Sequence, residues 1–166
     1  MPWEITLRRR DDAPLGDLPS VCQGIEAALP ETQFYREPSG LEKIEAAKAK
    51  GVEFPAAVRS FFEQLPSRTK AYFQADDLTI DFYGFDSEPL LRLHAEIRGS
   101  GNPAEALRRL CTPHDWIVVD DQSGDTIDLA ATTLAGWNSF VSYRQQVVTE
   151  ATDSVPGANA KADEPS

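Results

Sequence analysis

Residues 78–101 read LTIDFYGFDSEPLLRLHAEIRGSG, and their pattern decides the fold expected for the chain. Apolar and polar residues alternate along 78–83 and again along 91–98, which is the period of strands with one buried face. The short segment between them favours an antiparallel pair, because antiparallel strands can be joined by a short turn. A helix-like stretch, NPAEALRRL, follows at residues 102–110. The polar side chains of both strands would therefore share one face of a sheet.

These outward-facing polar residues are the first candidates for a binding surface. On the first strand the outward residues are Thr79, Asp81 and Tyr83, and on the second they are Arg92, His94, Glu96 and Arg98. The candidate contacts among them are Asp81, Tyr83, Arg92, His94 and Glu96. Because an antiparallel pair keeps like faces together, we expect Asp81 to lie near Arg92 or His94. A histidine beside carboxylates can support acid–base chemistry, whereas an exposed face of cross-strand charge pairs explains the same residues without it. The matching core face comprises Leu78, Ile80, Phe82, Leu91, Leu93, Ala95 and Ile97.

Further periodic segments surround this strand pair. Residues 3–8 alternate in the same way, and residues 18–29 carry an apolar helical face behind a candidate N-cap, Asp17. Helical patterns also cover 41–50, 54–65, 102–110 and 134–148, and strand patterns cover 32–36, 70–75 and both arms of a hairpin at 116–129. This order of elements predicts an α+β fold, a mainly antiparallel sheet with helices packed on one face.

The length and composition predict a single domain. The chain has 166 residues, of which 1–150 carry the periodic segments, and residues 151–166 are small, polar and acidic, as in a disordered tail. Cys22 and Cys111 each fall on the apolar face of a predicted helix, which indicates free buried thiols. The first residues contain no apolar leader and no segment is long enough to cross a bilayer, so we expect a cytoplasmic protein.

The charge balance limits the class of partner. The chain carries 27 acidic and 16 basic side chains, a formal net charge of −11. Such a surface repels nucleic acids and anionic membranes, and it attracts basic proteins. We therefore expect the partner to be a protein, with a basic surface as the favoured case. We expect neither nucleic acid nor a membrane as a ligand.

A glycine-rich loop offers an alternative function. Residues 99–104, GSGNPA, match the G-x-G-x-x-G/A form of a dinucleotide loop, and Asp120 follows at about the spacing of a ribose-binding acid. In that alternative the chain is a small-molecule or nucleotide binder, or an enzyme, that uses Gly99, Gly101 and Asp120. The strand before the loop alternates, however, whereas the central strand of a nucleotide-binding sheet is apolar on both faces.

A turn explains the same loop. Asn102 can cap the following helix, Pro103 can take its first position, and Glu105 can reach back to the cap. Glu105 also places a negative charge where a phosphate would bind. We therefore expect a glycine-hinged turn and no cofactor.

Three aspartates around the turn DQSG are the remaining candidates. Asp120, Asp121 and Asp125 could contact a partner or weakly bind a cation, but their spacing does not match a calcium loop. Asp and Ser are also ordinary turn residues. The chain has only two histidines, which are too few for a typical metal site, so we expect no bound metal. The sequence also contains neither the G-x-S-x-G motif of a nucleophile elbow nor a cysteine predicted to lie near a histidine. No catalytic residue is expected.

The second half of the chain resembles a class of small uncharacterised bacterial α+β proteins. The resemblance rests on R-G-x-G at residues 98–101, on W-x-x-x-D-x-x-x-G at 116–124 and on W-x-x-F-x-x-Y-R at 137–144. It implies no catalytic residues. In general style the chain is also similar to the small acidic immunity proteins with which bacteria neutralise toxins.

The sequence thus favours a non-enzymatic acidic protein-binding module of bacterial type, in its most concrete form an immunity or antitoxin protein for a basic partner. A subunit whose edge strand pairs with another chain is a third possibility. The candidate contact residues are Asp81, Tyr83, Arg92, His94, Glu96, Asp120, Asp121 and Asp125.

Overall fold

The computed structural model describes residues 2–131 and 134–153 of the chain. The strands are β1 (Trp3–Arg9), β2 (Gln33–Glu37), β3 (Arg68–Ala75), β4 (Leu78–Tyr83), β5 (Leu93–Gly99) and β6 (Trp116–Asp120). The helices are α1 (Leu18–Ala28), α2 (Gly40–Ala49), α3 (Ala56–Glu63), α4 (Ala104–Cys111) and α5 (Ala135–Asp153), with one 3₁₀ turn at Thr112–His114.

The six strands form one antiparallel sheet in the order β2-β3-β4-β5-β1-β6. The amino-terminal strand β1 therefore lies between β5 and β6, far from both in sequence. The α+β class predicted from the sequence is confirmed. This insertion of β1 brings residues from the two halves of the chain onto the same face.

One face of the sheet forms the core with α1, α4 and α5. The predicted N-cap Asp17 accepts a hydrogen bond from the amide of Ser20 at 2.8 Å, so α1 begins where the sequence indicates. Trp137 of α5 packs against Trp3 with 5.7 Å between the ring centroids. The side chains of Trp3, Trp116 and Trp137 are all buried.

The core face of the fifth strand differs from the prediction at its first residue. Leu91 is 55% exposed, and Leu90 is fully buried instead. The amide of Leu90 donates to Gly16 and its carbonyl accepts from Leu15, each at 2.8 Å, which holds this residue in a separate bridge. The alternation therefore restarts at Leu93, where β5 begins.

The segment 38–66 forms a helical hairpin between β2 and β3. Ser39 and Glu42 form a capping box at the start of α2, and Gly51 closes that helix with a φ of +77°. The amide of Gly40 donates to the carbonyl of Leu65 at 2.9 Å, which ties the two ends of the hairpin together. Although α3 has the apolar stripe that the sequence predicts, none of its residues is buried.

The structure differs from the sequence predictions at the start of α4, in the hairpin at 116–129 and at the end of α5. Helix α4 begins at Ala104 with Pro103 at the N-cap, where the sequence predicted Asn102 at the cap and Pro103 at the first helical position. The Asn102 side chain accepts from the amide of Ala104 and Glu105 pairs with Arg108, so the expected capping box does not form. The second arm of the hairpin at 116–129 shares only one bridge with β6, between Thr126 and Val119. Helix α5 continues through Asp153, so residues 151–153 are helical where a tail was expected. Residues 154–166 lie outside the described residues.

Among the described residues, no helix has the length and apolar character that crossing a membrane requires. Cys22 and Cys111 are both free thiols, as predicted, but only Cys111 is buried, and Cys22 is partly exposed.

Candidate functional site: the open face of the sheet

Four carboxylates lie in one row across four adjacent strands on the face opposite the core helices. Asp81 of β4 is directly opposite Glu96 of β5, and Glu96 is directly opposite Glu4 of β1. Asp121 follows β6, and its amide donates to the carbonyl of Glu4 at 3.2 Å. We call Asp81, Glu96, Glu4 and Asp121 the acidic row. Like charges directly opposite each other in a sheet are destabilising, so the row is not explained by fold stability.

A single arginine offsets part of this charge. Arg98 donates to Asp81 at 2.7 Å and to Glu96 at 2.5 Å. The sequence led us to expect Asp81 near Arg92 or His94, but the strand register places Glu96 opposite Asp81 and His94 opposite Tyr83. Within the described residues, Glu4 and Asp121 form no ion pair. The row therefore keeps excess negative charge at its β1 end.

A hydrogen-bond chain runs beside the acidic row. The Thr6 hydroxyl donates to Asp121 Oδ1 at 2.7 Å, and Thr6 Oγ1 lies 3.0 Å from His94 Nδ1. A hydroxyl has one proton, and a carboxylate can only accept, so Thr6 must accept from the Nδ1–H of His94. The neutral imidazole then carries its proton on Nδ1, and Nε2 is an acceptor. Thr6 is only 7% exposed, so the hydroxyl that links His94 to Asp121 is largely shielded from solvent.

Two neighbours orient the His94 ring. The Tyr83 ring stacks on it with 5.5 Å between centroids and an interplanar angle of 25°. Gly84, with a φ of +88°, lies so close that an added Cβ would stand 2.9 Å from His94 Cδ2. The backbone of residue 84 therefore packs directly against the imidazole, and a side chain there would displace it.

The electrostatic field at Tyr83 reflects the acidic row. Partial burial raises the pKa of the Tyr83 hydroxyl, and the charges of Glu4, Glu96 and Asp121 raise it further. A cleft of about 770 Å³ covers the β3–β4 part of this face, and its walls include Lys70, Tyr83 and Arg98. The Asp81 and Glu96 end of the acidic row thus lines a cleft that also contains basic side chains, and Tyr83 of the stacked Tyr83–His94 pair forms part of its wall.

The three turn aspartates do not act together. Asp120 is only 7% exposed and points to the core face, where it accepts from Trp3 Nε1 at 3.2 Å and from the amide of Gln122 at 2.9 Å. Asp121 points to the open face, and Asp125 is exposed at the base of the turn, where its carbonyl accepts from the amide of Asp120. Successive residues on a strand point to opposite faces, which explains the separation of Asp120 from Asp121. Arg92 is exposed in the segment before β5 and is not part of the acidic row.

The glycine loop is filled by the chain itself. The amides of Ser100 and Gly101 both donate to the carbonyl of Asp77 at 2.9 Å. A Cβ on Gly99 would stand 2.1 Å from that carbonyl oxygen, and one on Gly101 would stand 2.4 Å from the Asp77 carboxylate. The amides that would bind a phosphate therefore already donate hydrogen bonds to the Asp77 carbonyl, and the Asp77 carboxylate lies next to them. Asp120, the proposed ribose ligand, is bonded to Trp3 on the core face.

His114 and Cys111 lie outside the open face and have structural roles. His114 packs against Trp116 with 4.9 Å between ring centroids. Burial raises the pKa of the Cys111 thiol to about 12, so it is not a reactive nucleophile. Within residues 2–131 and 134–153, no group of three or more His, Cys, Asp or Glu side chains is placed to hold a metal ion.

Sequence reasoning identified Asp81, Tyr83, His94, Glu96 and Asp121 but missed three residues that join them. Glu4, Thr6 and Arg98 all occupy the outward positions of alternating segments. That signal was readable for each strand by itself. The sequence does not show which strands are neighbours in the sheet, and these residues form one site only because their strands are adjacent.

Comparison of the chain with known protein families, with curated protein sequences and with solved structures gives no match.

Proposed function

We propose that this chain is a non-enzymatic protein-binding module that captures a basic partner protein on the open face of its sheet. The observation that carries the proposal is the acidic row. Its carboxylates are aligned at a cost in stability, and Glu4 and Asp121 have no cation beside them in the described structure. A partner that brings Lys or Arg side chains would relieve this repulsion, which makes the row a natural contact for a basic surface.

The charge of the whole chain supports the same partner class. At a net charge of −11, the protein attracts basic partners over long range and speeds their capture at low salt. The only run of basic residues, Arg8 to Arg10, is paired internally: Arg8 with Asp12 at 2.9 Å, Arg9 with Asp11 at 3.1 Å and Arg10 with Asp115 at 3.4 Å. This run therefore does not form a free basic patch for nucleic acid.

The most concrete form of the proposal is an immunity or antitoxin protein. Enzymes that cleave nucleic acids need basic surfaces, so an acidic module can occupy their substrate site and exclude the substrate. Tyr83 and His94 supply an aromatic pair beside the carboxylates, and aromatic residues are frequent energetic centres of protein interfaces. The likeness in general style to small acidic immunity proteins agrees with this form.

The experiment compares three versions of the full chain as bait in a lysate of the native cells at low salt. The first is the wild type. The second is an open-face variant with Glu4→Gln, Glu96→Gln and Asp121→Asn. The third is a matched control with Glu26→Gln, Glu45→Gln and Glu53→Gln, which removes the same charge from exposed positions elsewhere. Recovered proteins are identified by mass spectrometry and measured again with purified partner.

We expect the wild type and the matched control to retain one basic protein, which the open-face variant does not retain and which raised salt elutes. If the two triple variants lose the partner equally, net charge and not the acidic row is responsible. If no basic protein is retained by the wild type at low salt, the proposed function is wrong.

A further inference from the structure

The α2–α3 hairpin exposes apolar side chains that the fold does not use. Phe61 is 62% exposed and Val58 is 39% exposed, both on α3. Leu41 in the first turn of α2 and Val52 in the connection between α2 and α3 are also more than half exposed. Only Phe62 of the α3 stripe turns inward, where its ring stacks on Phe54 at 5.3 Å. Apolar side chains that stay exposed although α3 packs beside α2 indicate an interaction surface.

The charge of the hairpin distinguishes this surface from the acidic row. Residues 38–66 contain four acidic and four basic side chains, so the segment is neutral and the whole charge of −11 belongs to the rest of the chain. On α3 the only charged residues, Arg59 and Glu63, pair with each other at 3.3 Å. The other exposed residues of α3, among them Ala57 and Ser60, carry no charge.

We infer that a second copy of this chain binds here, with α3 of one copy against α3 of the other. Two copies at −11 each repel wherever their acidic surfaces approach, and the neutral hairpin is where they can meet without that cost. A basic partner would gain nothing from this surface, because it offers no excess negative charge. The alanines Ala56 and Ala57 leave room for close approach of two helices, and a twofold arrangement makes the same stripe serve both copies.

The contact is small, so the dimer is weak. Helix α3 has eight residues, and an interface built on two such helices falls at the low end of the range for specific association. The inference does not depend on the proposed function. The acidic row lies on the open face of the sheet and the hairpin connects the edge strand β2 to β3, so a dimer can leave the row free.

Sedimentation equilibrium of the full chain tests the inference, at protein concentrations from about 10 μM to about 1 mM, the range in which small interfaces associate. The wild-type mass should rise from the monomer value of 18.3 kDa toward twice that value. Phe61→Glu should abolish the rise, because it places two like charges across the twofold contact. The control is Leu91→Glu, which adds the same charge at another exposed apolar position and should dimerise as the wild type does.

Circular dichroism verifies that both variants are folded, which their exposed positions favour. The dimer should persist in high salt, since apolar contacts are not screened, whereas capture of a basic partner on the acidic row should be lost. A wild type that stays monomeric at every concentration would overturn the inference, whatever covers the hairpin instead. Equal behaviour of Phe61→Glu and Leu91→Glu would also overturn it.

Discussion

Glu4 of β1 and Glu96 of β5 lie directly opposite each other on the open face of the sheet. Asp81 faces Glu96 from the other side, so three carboxylates follow one another across three strands. Opposed like charges weaken a sheet, whereas residues that bind a partner are often retained at a cost in stability. The pair therefore allows stability and binding to be separated by substitution.

Glu4→Gln should stabilise the protein and weaken its binding to a basic partner. Removing the charge opposite Glu96 relieves repulsion worth roughly 0.5 kcal/mol at low salt, and the gain should vanish in high salt. Urea unfolding at two salt concentrations measures this. Glu26→Gln, on an exposed position of α1, serves as control and should change neither property. A loss of stability in Glu4→Gln would show that the row is not repulsive.

The Thr6 hydroxyl should determine the tautomer of His94. In the wild type, long-range ¹H–¹⁵N spectra should show the proton on Nδ1, because Thr6 accepts from it. Thr6→Val removes the acceptor and should shift His94 toward the Nε2–H form that isolated imidazoles favour, at a cost of about 1 kcal/mol for the lost hydrogen bonds. Thr6→Ser keeps the hydroxyl and should keep the wild-type tautomer. An Nε2–H signal in the wild type would refute the hydrogen-bond chain.

Asp120 should contribute mainly to the stability of the fold, and Asp121 mainly to partner binding. Asp120→Ala leaves the buried Trp3 indole N–H without its partner and should destabilise the fold by about 2 kcal/mol, measured by chemical unfolding. Asp121→Ala should cost less stability and should reduce partner binding. If Asp120→Ala leaves stability unchanged, the hydrogen bond to Trp3 is not structural.

Gly99→Ala should be more costly than Gly51→Ala. Both glycines have a positive φ, of +111° and +77°, so both substitutions carry the left-handed penalty of about 1 kcal/mol. At Gly51 an added Cβ meets nothing within 4 Å, whereas at Gly99 it meets the carbonyl of Asp77. The melting temperatures of the two variants compare these positions, and equal losses would contradict the close approach.

The same loop should not respond to nucleotides. Because the amides of Ser100 and Gly101 are bonded to Asp77, we expect NAD, ATP and inorganic phosphate to leave the melting temperature of the wild type unchanged. A ligand at a hundred times its dissociation constant would stabilise the fold by about 2.7 kcal/mol, so a real nucleotide site would be evident.

Burial of Cys111 should reduce stability in alkaline solution. The unfolded thiol ionises near its ordinary pKa of 9.0, whereas burial raises the folded pKa to about 12. Between these values the unfolded chain has released the proton and the folded chain retains it, so stability falls as pH rises, by up to about 1.4 kcal/mol per pH unit. Cys111→Ala should show a shallower decline of unfolding free energy above pH 9. Identical slopes would contradict the raised pKa.

Local features of the fold were predictable from the sequence. The alternation along 78–83, the cap at Asp17 and the closing glycine at Gly51 depend on residues a few positions apart, and the structure contains each of them. The burial of Trp3 likewise follows from the period of its own strand. Such signals are readable because their physical cause lies within one element.

Two features of the fold depended on distant contacts. Leu90 and not Leu91 is buried because residue 90 pairs with Gly16, which lies 74 positions earlier in the chain. Helix α3 keeps its apolar stripe exposed because nothing in the described fold lies over it. An amphipathic pattern shows that a helix has an apolar face, but it does not identify what covers that face.

The sequence by itself determined the class of the fold, the acidic character of the chain and the outward positions of Asp81, Tyr83, His94 and Glu96. Only the tertiary structure decided that β1 lies between β5 and β6, which completes the acidic row with Glu4 and links Thr6 to His94 and Asp121. The physical reason is that alternation records which face a side chain takes within its strand. The place of β1 in the sheet is set by pairing between residues about ninety or more positions apart, for which one sequence carries no local signal.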